Sequence, residues 1–209
     1  DLIVLQATRI VRRKNIELSM DVVKGLQARV EELGKKRVVL VMAGYAEKRD
    51  EGYQEKLREY ARSLGINTVE LNGLANDYSA KTGIKCDLLG LYPFADLITY
   101  PSEYEGFGNQ FLEAVHAKKP IVLYEYPVYK ADIKPLGFEV VALGENLSFD
   151  TNNGLTKVSQ EVLERVVEET VEILKDGEKR KQMVEKNFGI GAENFSFEKT
   201  GEVWKKLLD

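Results

Sequence analysis

The chain has 209 residues, 44% of them hydrophobic, 31% charged and 9% aromatic, with a net charge of −4. That is enough apolar material for a core of ordinary globular size, which excludes a disordered chain, a collagen-like repeat and a small disulfide-stapled fold. The acidic balance argues against a nucleic-acid partner, because affinity for polyanions comes mostly from an excess of Lys and Arg. Along the chain, short apolar runs alternate with longer amphipathic stretches. Residues 2–5 read as a buried strand, followed by a helical pattern over about 15–33 (Ile16, Met20, Val23, Leu26, Val30, Leu33) that Gly34 closes. Residues 38–42 form the second predicted strand, and Gly44 ends it. A charged helix over about 50–64 stops at Gly65, and a third strand follows at 68–71. Further strands are expected at 97–100, 121–124 and 139–142, with helices near 87–95, 109–117 and 129–135. From 159 to 208 the pattern is helical, with interruptions at Asp176-Gly177 and over 188–197.

Six strands joined by helical crossovers predict an α/β fold, a doubly wound parallel Rossmann-like sheet with a helical C-terminal tail. The strand runs are apolar without alternation, as expected where helices cover both faces. No internal repeat or low-complexity linker divides the chain, so residues 1–209 are expected to form one domain. The single cysteine, Cys86, fits a reducing cytoplasm. No apolar run approaches the ~20 residues of a membrane span, which leaves only peripheral membrane contact open. The chain opens directly on a strand and without methionine, which points to no signal peptide and to a piece of a longer polypeptide. Ligands of such sheets sit beyond the carboxyl ends of the strands, where strand order reverses.

The loop after the first strand, Thr8-Arg9-Ile10-Val11-Arg12-Arg13-Lys14-Asn15, contains no glycine. A G-x-G-x-x-G dinucleotide fingerprint is therefore absent, and with it the case for a nicotinamide-dependent oxidoreductase. Four of the six residues from 9 to 14 are cationic instead, at the start of the first long helix, where free N–H groups favour an anion. A lone cluster of this kind reads as a solvated patch; its place after strand one turns the reading to phosphate binding by side chains.

The fourth strand runs into Pro101-Ser102-Glu103-Tyr104-Glu105-Gly106-Phe107-Gly108-Asn109-Gln110-Phe111-Leu112-Glu113-Ala114. Gly106 and Gly108 permit close backbone approach and unusual φ, and a helix starts near Asn109. Glu105 in the loop and Glu113 in the helix can face one cleft, and an ionised carboxylate can accept from both hydroxyls of a vicinal diol.

This string, followed by Pro120-Ile121-Val122, resembles the E-x7-E region of the retaining GT-B glycosyltransferases of glycosyltransferase family 4 (group 1). Arg9 and Lys14 are similar to that family's Arg-x4-Lys pair. Asp87-Leu88-Leu89, Leu91-Tyr92 and Ala95-Asp96-Leu97 resemble its approach to strand four. The resemblance spans roughly residues 1–125 and implies the C-terminal, nucleotide-sugar-binding half of a GT-B enzyme. It implies that Arg9 and Lys14 grip the donor diphosphate and that Glu113 binds the ribose hydroxyls. Glu105 would contact the transferred sugar, with Gly106, Phe107, Gly108 and Asn109 lining sugar and phosphate. The base would lie near Gly73 and Leu74.

Arg9, Lys14 and Glu105 are thus the implied catalytic residues. The implied reaction moves a hexose from a UDP-, GDP- or ADP-hexose to an acceptor hydroxyl with retention, without a cofactor or metal. The N-terminal acceptor domain that such enzymes need is not within these residues, so the isolated chain is expected to bind donor without transferring it. A non-catalytic nucleotide-sugar-binding or regulatory module is the alternative. Thr8, Asn15 and Lys118 stand where the family usually has glycine, and Lys118 is expected to cost a helix C-cap. His116 is the only histidine, so no triad or multi-histidine metal site can be built. The aromatics Tyr124, Tyr126 and Tyr129 are expected to pack on the following helix, and Trp204 to anchor core or domain contact.

Overall fold

The computed structural model describes residues 1–71 and 88–208. Six parallel strands form the main sheet: β1 (Leu2–Gln6), β2 (Val38–Met42), β3 (Asn67–Glu70), β4 (Leu97–Tyr100), β5 (Ile121–Leu123) and β6 (Val141–Ala142). Their order is β3-β2-β1-β4-β5-β6, all pairs parallel. This is the doubly wound α/β sheet expected from the alternation of elements. Its order reverses between β1 and β4, and the two lie side by side, Val4 opposite Leu97 and Leu5 opposite Ile98. The inner strands are apolar on both faces because helices cover both, and Val4, Leu40, Ile98, Ile121 and Val122 are fully buried.

Helix α1 (Ile16–Ala28) packs Ile16, Met20, Val23 and Leu26 into the core, and α2 (Glu51–Leu64) ends on Gly65 in the left-handed region. Helix α3 (Asn109–His116) follows β4. Two expected helices are tighter or looser turns instead. Leu89–Phe94 is a 3-10 turn, and Tyr129–Ile133 is a π turn that runs into the 3-10 turn Lys134–Leu136 at Pro135. Helix α4 (Gln160–Lys175) is capped by the Ser159 hydroxyl, and α5 (Gly177–Phe195) by Asp176, whose carboxylate accepts from the amides of Glu178 and Lys179. The interruption expected over 188–197 narrows to one residue at its end: α5 runs on to Phe195, and Ser196 separates it from α6 (Phe197–Leu208). Gly191 inside α5 serves packing, since a Cβ there would come 2.8 Å from Val115 of α3. Among the described residues no helix is long and apolar enough to cross a membrane.

Lys118 does not cost the C-cap. It adopts a left-handed backbone (φ 52°), and the amides of Lys118 and Lys119 reach the carbonyls of Val115 and Ala114, both at 3.0 Å. This is the doubly bonded helix stop usually made by glycine. The lysine side chain offsets the strain by pairing with Glu185 at 2.7 Å and lying 4.4 Å from the centroid of the Phe188 ring.

An antiparallel hairpin, β7 (Ser148–Asp150) with β8 (Leu155–Lys157), was not anticipated from the sequence. It lies across the start of α1. The amide of Thr156 donates to Glu17 at 2.9 Å, and the Tyr53 hydroxyl donates to the same buried carboxylate. One turn along α1, Asp21 accepts from the Tyr60 hydroxyl at 2.6 Å. Burial pushes the Asp21 carboxyl up to about 6, with Glu17 adding to the rise and Tyr60 and Lys157 opposing it. Between pH 3.8, the ordinary value, and about 6 the folded chain therefore holds a proton that the unfolded chain releases. Stability falls as pH rises through that window. Asp21→Asn is expected to gain on the order of 1–2 kcal/mol at pH 7, since Asp21 is only half-buried, and to gain nothing below pH 4. Urea midpoints of both proteins between pH 4 and pH 8 check this; parallel pH profiles would contradict it.

Candidate functional site

The loops that leave β1 and β4 meet at the switch point of the sheet. Beneath them a polar network joins the two strands to α1. Gln6, at the end of β1 and fully buried, donates to Thr8 at 2.8 Å and accepts from Ser19 and Thr99, both at 3.1 Å. Every one of these buried groups has a partner, which makes the floor of the site rigid.

Above that floor the chain turns through a 3-10 element, Arg12–Lys14, and enters α1 at Asn15. Asn15 holds a left-handed backbone (φ 44°), the conformation for which glycine is the usual choice and Asn the usual substitute. Its side-chain amide donates to the Pro101 carbonyl at 3.3 Å. The substitution at this position therefore keeps the turn and adds a tie to the loop after β4. A second tie runs from the Glu103 amide to the Arg13 carbonyl at 2.9 Å.

This geometry places the Lys14 ammonium against Glu105. Lys14 is buried, its Nζ donates to Glu105 Oε1, and it lies 5.4 Å from the centroid of the Tyr100 ring. Arg13 donates to the same carboxylate oxygen at 3.0 Å and to the Tyr104 carbonyl at 2.5 Å. One carboxylate thus sits among several cations, and the titration directions follow from that imbalance. Burial pushes the Glu105 carboxyl up, but Lys14 and Arg13 hold it below the usual carboxylate range. Burial lowers Lys14, and the charges of Arg13 and Arg9 add to the fall that Glu105 resists. The cluster carries excess positive charge, and a further anion would be attracted to it.

Arg9 is near enough to act on Lys14 through its charge, yet its guanidinium pairs with Glu47 at 2.6 Å in the loop after β2. Gly44 brings that loop in: a Cβ there would overlap the Thr8 carbonyl, and the Ile10 amide donates to Tyr45 at 2.9 Å. Glu47 carried no sequence signal, because its pairing depends on β1 and β2 being neighbours.

Gly108 precedes α3 with φ 111°, and a Cβ there would stand 2.3 Å from the Tyr126 hydroxyl and 3.1 Å from that of Tyr100. Tyr126 donates to the Phe107 carbonyl at 2.7 Å and meets Tyr100 edge to face. The Phe107 ring packs on Phe195 of α5. Its side chain is thus a support of the loop. Gly106 is exposed, has no left-handed φ, and a Cβ there would meet nothing, so the unusual geometry expected of both glycines belongs to Gly108 alone. Asn109 opens α3, where the first amides have no partner inside the helix. One turn on, Glu113 accepts from the Tyr92 hydroxyl at 2.6 Å.

The structure therefore joins Lys14 to Glu105, with Arg13 as an added member, and holds Arg9 and Glu113 on separate partners. Gly73 and Leu74 lie outside the described residues. Sequence reasoning passed over Tyr100 and the role of Tyr92, which stood in a quoted motif; Tyr126, expected to pack on the following helix, also bonds the Phe107 carbonyl and meets Tyr100.

Residues 1–188 match the model of the family described as "Glycosyl transferases group 1". The mannosylglucosylglycerate synthase of Thermotoga maritima is 41% identical over 97% of this chain and 47% of its own length. That of Petrotoga mobilis is 39% identical over 99% of this chain and 49% of its own. The chain thus spans about half the length of the curated relatives it matches. Among solved structures, Anabaena HepE in complex with UDP and glucose superposes with a TM-score of 0.68 at 15% identity, over 100% of this chain and 48% of that one.

Proposed function

The chain belongs to the glycosyl transferases group 1 family, and from that premise we propose that it is the nucleotide-sugar-binding half of a retaining hexosyltransferase. The observation that carries this reading is the cationic cluster of Arg13 and Lys14 on Glu105, with Arg9 beside it, at the switch point between β1 and β4. A nucleoside diphosphate leaving group gains negative charge as the bond to the sugar breaks. Fixed cations in a closed cleft act most strongly on charge that develops in the transition state. Arg9 and Lys14 bind the diphosphate in this reading, with the first amides of α3 adding donors. Glu105 takes sugar hydroxyls and Glu113 the ribose. Gly106, Phe107, Gly108 and Asn109 form the wall between them.

The name shared by the two curated relatives describes a mannosyl group joined to glucosylglycerate. The same transfer, from a nucleoside-diphosphate mannose to a hydroxyl of glucosylglycerate, is the activity assigned here to the whole protein. The acceptor is held by the half of the polypeptide beyond this chain, so this chain alone binds donor and does not turn over.

The test is calorimetric titration of the chain with UDP, GDP, ADP and their hexose conjugates, repeated on Arg9→Ala and Lys14→Ala. One nucleotide is expected to bind, with Arg9→Ala weakening it about tenfold or more and Lys14→Ala roughly a hundredfold or more. Turnover of the full polypeptide with glucosylglycerate is expected to survive chelation of divalent metals and to preserve the anomeric configuration by NMR. Binding without turnover in the full polypeptide would instead favour a regulatory module.

A further inference from the structure

We propose that Tyr92 is a positioning residue that fixes the Glu113 carboxylate for recognition of a ribose diol; the inference rests on the donor-site reading above. Tyr92 is almost wholly buried, on the 3-10 turn Leu89–Phe94 that leads into β4, and its hydroxyl donates to Glu113 Oε2 at 2.6 Å. Glu113 reaches it from the second turn of α3, on the other side of β4 in the sequence. A glutamate on an exposed helix face samples many rotamers, and ordering it on binding costs free energy. A hydrogen bond from a buried phenol to a carboxylate is among the stronger kinds and settles the rotamer during folding. Burial, with the hydrogen bond and charge of Glu113, pushes the Tyr92 phenol far above its ordinary value, so it remains a donor at physiological pH.

The pairing also shapes what Glu113 can bind. An ionised carboxylate only accepts, and Tyr92 occupies Oε2. Oε1 and the remaining lone pairs are left for a ligand with two neighbouring donors, which a ribose 2′,3′-diol supplies and a dideoxyribose does not. The Tyr92 hydroxyl touches no substrate in this arrangement; it acts through Glu113.

Calorimetry on the chain with UDP, GDP and ADP, each beside its 2′,3′-dideoxy counterpart, tests this on the parent protein, Tyr92→Phe, Glu113→Ala and the double variant. The parent is expected to bind the ribose form about tenfold or more tighter than the dideoxy form. Tyr92→Phe should lose most of that ratio by weakening the ribose form alone, and should add nothing in the Glu113→Ala background. Glu113→Asp, which shortens the acid without altering Tyr92, should lose the ratio too and covers a folding defect in the phenylalanine variant. A ratio unchanged in Tyr92→Phe, or both forms weakened equally, overturns the positioning role while the donor site stands. No ribose preference in the parent overturns it through Glu113. No nucleotide bound by the parent overturns the donor-site reading itself.

Discussion

Replacing Lys14 by alanine should destabilise the fold by about 3 kcal/mol and weaken nucleoside diphosphate binding by roughly a hundredfold or more. Lys14 and Glu105 are both largely shielded, at 8% and 12% side-chain exposure, so removing the ammonium leaves a carboxylate with little water to replace it. Arg13 remains on the same oxygen, but its side chain is 41% exposed and is screened accordingly. The acid side of the stability profile should change as well. Glu105 ionises more readily folded than unfolded, so its contribution is complete above the ordinary 4.5 and is lost as pH falls through the folded value. Lys14→Ala removes the main partner, and its stability should therefore fall less on acidification than that of the parent. The double variant Lys14→Met/Glu105→Leu should recover much of the stability and none of the binding. Urea melts at pH 7 and pH 4, with calorimetry on each variant, separate these effects. Equal loss of stability in the single and double variants would show that the pair is not the source.

Gly108→Ala should be at least as damaging, and for backbone reasons. Its φ of 111° suits no L side chain, and its Cβ would overlap the Tyr126 hydroxyl. Tyr126 cannot swing aside freely, because it is buried and bonded to the Phe107 carbonyl. Strain and overpacking each cost roughly 1–3 kcal/mol, so a combined loss of about 3 kcal/mol or more is expected, with nucleotide binding abolished. Tyr126→Phe in the same chain should relieve the overlap and restore part of the stability but leave the backbone term. Gly106→Ala is the control: exposed and open, it should change stability by less than about 0.5 kcal/mol. A Gly106→Ala loss as large as that of Gly108→Ala would contradict this division of roles.

The strands were legible because most are runs of apolar residues bounded by a stop, the edge strand β3 (Asn67–Glu70) being the polar exception, and all six fall within a residue or two of their expected positions. What escaped depends on long-range contact. The hairpin of Ser148–Asp150 with Leu155–Lys157 has three-residue strands with little apolar pattern, and it is held in place by Glu17, 139 residues from Thr156. The stretch 188–197 was expected to interrupt the helical pattern, yet the helix runs through Gly189 and Gly191 to Phe195, because local propensity gave way to the close packing of α3 on α5. In the site, Lys14 and Glu105 were legible as types at the right strand ends. Their mutual contact, and the pairing of Arg9 with Glu47, required the sheet order. Asn15 and Lys118 look like departures in a linear reading, yet both hold the left-handed backbone that glycine would have supplied.

The buried Gln6 network has a consequence for biosynthesis. Within these residues β1, β2, β3, α1 and α2 are translated before β4, and they can already associate, since β1 pairs with β2 in full register. Gln6 then has Ser19 for company, but its other carbonyl donor, Thr99, has not been made, nor has Glu105 for Lys14. Two polar groups destined for burial stay wet, and the edge of β1 that β4 will cover stays open. β4 and the loop after it cover that edge and supply Thr99 and Glu105, so the ligand cleft cannot be complete before the second half of the sheet has been made.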